Sequence, residues 1–213
     1  MEKKFIQSLG RAMDILEYLA LNPKSRLQDI SSYLNLNKST LHSLISTLEQ
    51  LGYVEKGDKS PIYSLGVKVF QLGKVYERDF EIKKLINPIL KELTEFSSET
   101  TYLTLQIGSS YIYVDKYESK NNLKLDPELG VEESIDSKSA IGKIYKSFSN
   151  NEFLEFALDL EEVEVGMNCI AFPILKNNRL LGVIGIGGPS SRLNLEKMNE
   201  CKKKYYEILS RVI

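Results

Sequence analysis

Residues 38–52 read KSTLHSLISTLEQLG. Leu41, Leu44, Ile45, Leu48 and Leu51 fall at i, i+3, i+4 and i+7 spacing, which makes the segment a helix with one apolar face. Asn37 stands where a side chain caps the open N–H groups of a helix start, and Gly52 stands where a helix ends on a left-handed residue. The opposite face carries Lys38, Ser39, His42, Ser43, Ser46 and Thr47, with no acid before Glu49. Most exposed helix faces alternate Glu and Lys for solubility. A face of short hydrogen-bonding side chains headed by a lysine suits close approach to a polyanion.

Working outward, residues 27–34 place Leu27, Ile30 and Leu34 inward on a shorter helix, and Asn35-Leu36-Asn37 forms the turn between the two. Before it, LGRAMDILEYLAL at residues 9–21 sets Ala12, Ile15, Leu16 and Leu19 at helical spacing. Asn22-Pro23 ends that helix, because the residue before proline is pushed out of the α region. After Gly52, two β-prone runs, Tyr53–Lys56 and Ile62–Leu65, flank a turn at Gly57-Asp58-Lys59-Ser60-Pro61 and predict a hairpin. Helix, helix-turn-helix and hairpin in this order spell a winged helix-turn-helix. Residues 66–96 read as helical, with a linker helix through Tyr76 and a second helix to about Phe96. The expected divisions are 1–66, a linker over 67–80, and a second domain over 81–213.

On this reading the DNA-facing residues are Arg11, Lys38, Ser39, Thr40, His42, Ser43, Ser46, Lys56 and Lys59. Lys38, Ser39 and Thr40 open the third helix, where backbone N–H groups and the helix dipole favour a phosphate. Thr40 has a second reading, as a capping residue. His42, Ser43 and Ser46 face base edges, where each good pair contributes about 1–3 kcal/mol of discrimination. Arg11, off the apolar stripe of the first helix, is either a surface charge or a backbone contact. Lys56 and Lys59 sit on the wing as phosphate neighbours, tempered by Glu55 and Asp58.

The second half alternates from Tyr102 to Ile107, turns at Gly108-Ser109-Ser110 and returns over Tyr111–Asp115. Ser139–Phe148 is helical. Apolar strands Met167–Leu175 and Leu180–Ile186 flank Lys176-Asn177-Asn178-Arg179, and Leu195–Val212 is an amphipathic helix with Met198, Cys201, Tyr205, Ile208 and Leu209 on one side. Hairpins interleaved with helices give an α+β class with an antiparallel sheet. Tyr102, Tyr111, Tyr113 and Tyr117 pack on sheet faces, or one lines a pocket. Gly185, Gly187 and Gly188 are either a ligand cradle or a bend at a strand end.

The 213 residues suffice for two small domains. The net charge of −1 hides 11 Lys/Arg against 8 Asp/Glu in residues 1–78 and 17 against 21 in the rest, which suits a nucleic-acid module joined to something else. No apolar run approaches the ~18 residues of a membrane span, and the N-terminus does not read as a secretory leader. Cys169 and Cys201, far apart, give no disulfide framework, and with the single histidine, His42, they supply no zinc set. No phosphate-binding loop, nucleophile elbow or paired-acid motif appears, so neither an enzyme nor a cofactor is expected. A cytoplasmic location fits.

Several stretches carry a resemblance. Ser8-Leu9-Gly10-Arg11-Ala12-Met13-Asp14-Ile15-Leu16, Asn37-Lys38-Ser39-Thr40-Leu41-His42, Leu48-Glu49-Gln50-Leu51-Gly52-Tyr53-Val54 and Tyr63-Ser64-Leu65-Gly66 resemble the IclR family of bacterial transcriptional regulators. So, in register, do Tyr113-Val114-Asp115-Lys116, Ala140-Ile141-Gly142-Lys143, Cys169-Ile170-Ala171-Phe172-Pro173 and Gly188-Pro189-Ser190-Ser191-Arg192. The resemblance implies a GAF-like second domain that binds a small organic effector, often a carboxylate or aromatic intermediate. It also implies a homodimer or homotetramer on a pseudo-palindromic double-stranded operator. The effector wall it implies is Leu103, Leu105, Ala140, Ile141, Cys169, Ala171, Gly185 and Gly187. The chain departs from the family pattern at Ser43, where many members have Arg, and at Ser137, often His. Gly185-Ile186-Gly187-Gly188-Pro189 replaces a frequent Ser-x-Ser-Gly-Pro, and the stretch between Phe148 and Met167 is short, so that a helix or strand walling the pocket is expected to be missing. A regulator whose degenerate second domain only dimerises is the alternative.

Overall fold

The computed structural model describes residues 5–57 and 61–212. The chain forms two compact units, one ending at Phe80 and the other beginning at Glu81.

In the first unit, helices α1 (Gln7–Leu21), α2 (Leu27–Leu34) and α3 (Lys38–Gln50) pack on a small sheet of β1 (Ser25–Arg26), β2 (Val54–Lys56) and β3 (Ile62–Leu65), ordered β1-β3-β2. Ile15, Leu19, Ile30, Leu41, Ile45, Leu48, Val54 and Tyr63 form its core. Three of the five apolar positions that define α3 are thus fully interior. The two-residue strand β1, antiparallel to β3 through Ser25–Tyr63 and Arg26–Ile62, is too short to leave a periodic signal in sequence. Asn35 ends α2 in the left-handed region (φ 49°), and Gly52 follows α3 at φ +81°. Gly66 is required by close approach, since a Cβ there would lie 2.3 Å from the Gly52 carbonyl oxygen. Helix α4 (Val67–Arg78) follows and buries none of its residues within its unit.

The second unit holds a six-stranded antiparallel sheet ordered β6-β5-β4-β9-β8-β7. Its strands are β4 (Thr100–Ile107), β5 (Ser110–Tyr117), β6 (Glu132–Ser134), β7 (Ala157–Leu160), β8 (Met167–Lys176) and β9 (Arg179–Pro189). Helices α5 (Glu81–Ser97) and α7 (Leu195–Val212) cover one face, where Ile86, Leu90, Leu103, Phe172, Ile184 and Tyr205 belong to one core. Helix α6 (Ala140–Ser149) covers the other, over a second core rich in tyrosine. The α+β, GAF-like architecture agrees with the sequence reading.

The short stretch between Phe148 and Met167 holds one strand and no helix of its own. It retains β7, paired with β8 from Ala157–Ala171 to Leu160–Asn168. Lys143 of α6 holds it in place, donating to the Leu158 carbonyl at 2.7 Å and pairing with Glu162. At the far end of β9, the Arg192 guanidinium meets buried Glu99 in two hydrogen bonds of 2.6 and 2.9 Å, and donates to the Leu123 carbonyl at 2.7 Å.

Candidate nucleic-acid interface and sensor core

The start of α3 is built by Asn37, whose Oδ1 accepts the Thr40 N–H at 2.8 Å and the Ser39 hydroxyl at 2.9 Å. Thr40 is therefore the capped residue and not the cap. Along the exposed face, Ser43 donates to the Ser39 carbonyl (3.1 Å), Thr47 to the Ser43 carbonyl (3.0 Å), and Ser46 Oγ lies 3.5 Å from His42 Nδ1. These hydroxyls bond back onto their own helix. They can exchange those bonds for base or phosphate acceptors without leaving a buried group unpaired. Lys38, His42 and Ser43 are exposed, Ser46 and Thr40 partly so, while Leu41, Ile45 and Leu48 are buried on the other side. The helix thus turns outward a side that carries no acid before Glu49.

Lys56 is exposed on β2. Its neighbour Glu55 accepts the Val67 N–H at the start of α4 (3.2 Å), so that carboxylate is engaged with a helix N-terminus. Arg11 is half-buried on α1, and Lys59 lies outside the described residues. Sequence reasoning passed over Lys24 and Arg26, two exposed cations beside the wing strand β3. Their adjacency after Pro23 was visible, but only the pairing of β1 with β3 puts them next to the wing.

The residues expected to wall an effector site separate into two sets. Ala140, Ile141, Cys169 and Ala171 gather on the α6 side with Tyr102, Tyr111, Tyr113 and Tyr145. Leu103 packs instead into the α5/α7 core, and Leu105 lies on that same side, both leucines facing Gly182. Strand alternation sends them away from Tyr102 and Thr104, to the opposite sheet face from Ala140, Ile141, Cys169 and Ala171. Gly185 and Gly187 make no bend at a strand end. They lie within β9, paired to both β4 and β8, and make room for Tyr102. A Cβ on Gly185 would sit 2.1 Å from the Tyr102 ring, and one on Gly187 2.8 Å from its hydroxyl and 2.5 Å from Leu125. At Gly188 the space is taken by Glu99.

The tyrosine core is hydrogen-bonded throughout. Tyr102 Oη lies 3.0 Å from Cys169 Sγ, and Tyr145 donates to the Thr104 carbonyl at 2.8 Å. Tyr111 and Tyr113 both donate to the Glu133 carboxylate, the latter at 3.1 Å. Tyr111 Oη also lies 3.0 Å from Ser139 Oγ, which caps α6 by accepting the Gly142 N–H. Burial, reinforced by Glu133, raises both hydroxyls far above the ordinary tyrosine range, so they remain donors. Glu133 was missed in sequence, since a three-residue edge strand after an irregular loop carries no pattern. Burial pushes the Cys169 thiol up to about 12 and that of Cys201 to about 11, which makes both poor nucleophiles. Among the described residues no three His, Cys, Asp or Glu side chains are grouped to hold a metal, and no helix is long and apolar enough to cross a membrane.

Comparison with known proteins bears on both units. Residues 8–58 match the IclR helix-turn-helix domain, and residues 75–158 match the bacterial transcriptional regulator IclR C-terminal domain. The HTH-type transcriptional regulator XynR of Escherichia coli K12 is 27% identical over an alignment of 224 positions, covering 89% of this chain and 88% of that protein. The transcriptional repressor AllR of the same strain is 25% identical over 92% of this chain and 84% of its own length. Among solved structures, an IclR family regulator from Brucella abortus superposes with a TM-score of 0.80 at 18% identity, covering 99% of this chain and 92% of that one.

Proposed function

The chain belongs to the IclR family of bacterial transcriptional regulators and is a DNA-binding regulator rather than an enzyme, and on that premise we propose that it represses transcription as an effector-controlled homodimer. Two copies of α3 enter successive major grooves of a pseudo-palindromic operator, about 34–36 Å apart. The observation that carries this is the outward face of α3, from Lys38 through His42, Ser43 and Ser46, which holds no acid and is backed by the buried stripe Leu41–Ile45–Leu48. Lys38, Ser39 and Thr40 meet phosphate, with Arg11, Lys56 and Lys59 contributing sequence-independent attraction.

Self-association is supported by apolar surface that the first unit leaves uncovered: Phe5, Ile6 and Leu9 at the start of α1, and Val67, Phe70 and Tyr76 on α4. Repression rather than activation is supported by the name of the AllR relative. The effector is a small organic anion received on the α6 side of the second unit. It acts through α4 on the spacing of the recognition helices, provided it binds the two states with different affinity. A coupling of about 1–3 kcal/mol would change operator affinity roughly 5- to 150-fold. A second reading, a regulator whose second unit only dimerises, is favoured by the Tyr102 ring filling the space beside Gly185 and Gly187.

Selection of bound fragments from random DNA with the purified chain tests the DNA-binding half. Enrichment of inverted half-sites centred about 10–10.5 base pairs apart, or a multiple of that, is the expected result. Enrichment of a single asymmetric element would sink the dimeric reading.

A further inference from the structure

Segment 119–134 crosses the tyrosine core as a strap. Leu125 packs into that core, so close to Gly187 that a Cβ there would collide with it. Farther on, Gly130 turns the chain at φ +86°, and β6 adds only three residues to the sheet edge, pairing Tyr111 with Glu133. At that pair the Glu133 carboxylate accepts hydroxyls from Tyr111 and Tyr113, while Ser137 and Ser139 extend the run of hydroxyls to the N-terminus of α6. Two convergent phenolic donors, a serine pair and a helix start are the equipment of a carboxylate-binding site. Glu133 itself is only partly buried and comes from an edge strand with few ladder bonds.

We propose that the Tyr111–Tyr113–Ser139 cluster is a carboxylate-binding site occupied by the protein's own Glu133, and that a small carboxylate effector binds by displacing it. The strap is then a built-in competitor that raises the effector concentration needed to act. This rests on the effector reading above, and it accounts for a sensor face that is filled and yet lined with donors. Displacement frees Glu133 to water, where its charge is well solvated. The ligand carboxylate inherits the two phenolic bonds, so no hydroxyl is left unpaired.

The test compares wild type, Glu133→Ala, Glu133→Gln and Tyr111→Phe/Glu133→Ala in thermal unfolding, titrated with sodium acetate and sodium benzoate against sodium chloride at matched ionic strength. Wild type is expected to respond only at high concentration. Glu133→Ala melts lower than wild type and is raised saturably by carboxylate, about 3–6 °C at ten times the dissociation constant. The double variant loses that rise. Glu133→Gln keeps the shape without the charge; it is expected to fold and to bind carboxylate at least tenfold more tightly than wild type, which keeps the proposal testable should the alanine variant fail to fold. Equal carboxylate affinity in wild type and Glu133→Gln, or no response in any variant, overturns the proposal. Operator affinity followed in parallel separates it from the effector reading. Carboxylate binding to Glu133→Gln with unchanged operator affinity upholds the site and sinks effector control. Tight binding to wild type that shifts operator affinity equally in all variants does the reverse.

Discussion

Arg192→Ala is expected to destabilise the second unit by about 3–5 kcal/mol, because it strands a carboxylate in the interior. The Glu99 side chain is 1% exposed, and Arg192 supplies both charged hydrogen bonds it receives from the turn after β9. The same guanidinium closes the Leu123 carbonyl, so its loss also loosens the start of the strap. The reverse substitution, Glu99→Gln, costs less. The Arg192 side chain is 37% exposed and can turn to water, and the amide oxygen still accepts one N–H. A thermal-unfolding comparison decides, with a drop on the order of 10–20 °C for Arg192→Ala and a clearly smaller one for Glu99→Gln. Equal costs would mean that burial of Glu99 is not what ties the two residues together.

Leu41→Ala is expected to weaken DNA binding without touching the exposed face of α3. Leu41 is fully buried in a core of eight residues, and a truncation there costs about 2–5 kcal/mol through lost transfer energy and the cavity left behind. That is a large share of what a domain of this size has to spare, roughly 5–10 kcal/mol. The first unit should therefore melt far earlier, while the transition of the second stays in place. Ser43→Ala, exposed two residues farther along α3, should change stability by no more than about 0.5 kcal/mol yet weaken binding at particular base pairs. Wild-type operator affinity in Leu41→Ala would show that α3 does not depend on its apolar stripe for its position.

These two contrasts also mark what could be read in the sequence. The first unit was legible because its helices are long enough for 3.6-residue periodicity and carry their own punctuation: Asn37 at the cap of α3, Gly52 at its end, Pro23 after α1. The sheet of the second unit was legible in its long strands of 8 to 11 residues, which read as alternating or continuous apolar runs. Three of the short strands were not. β1, β6 and β7 span two, three and four residues, too short to show a period and without the turn signal that revealed the equally short β2 and β3, and they exist because a longer neighbour offers a free edge. The sheet face under α6 misled for a related reason. Leu103 and Leu105 alternate as a pocket wall would, but only the assembled sheet tells which side faces α6. The glycines of β9 were visible as a departure, and their cause, the Tyr102 ring on the neighbouring strand, lies more than eighty residues away in sequence.

The outer face of α3 is proposed to lie in a major groove of the operator. Cys169 and Cys201 are buried with raised thiols, so Ser43→Cys can be labelled alone with a photoactivatable crosslinker, and Lys176→Cys on the exposed β8–β9 turn serves as control. On selected operator DNA, the probe at position 43 should crosslink to bases in both half-sites and the probe at position 176 to none. Full operator affinity with no crosslink from position 43 would place DNA on some other surface of the protein.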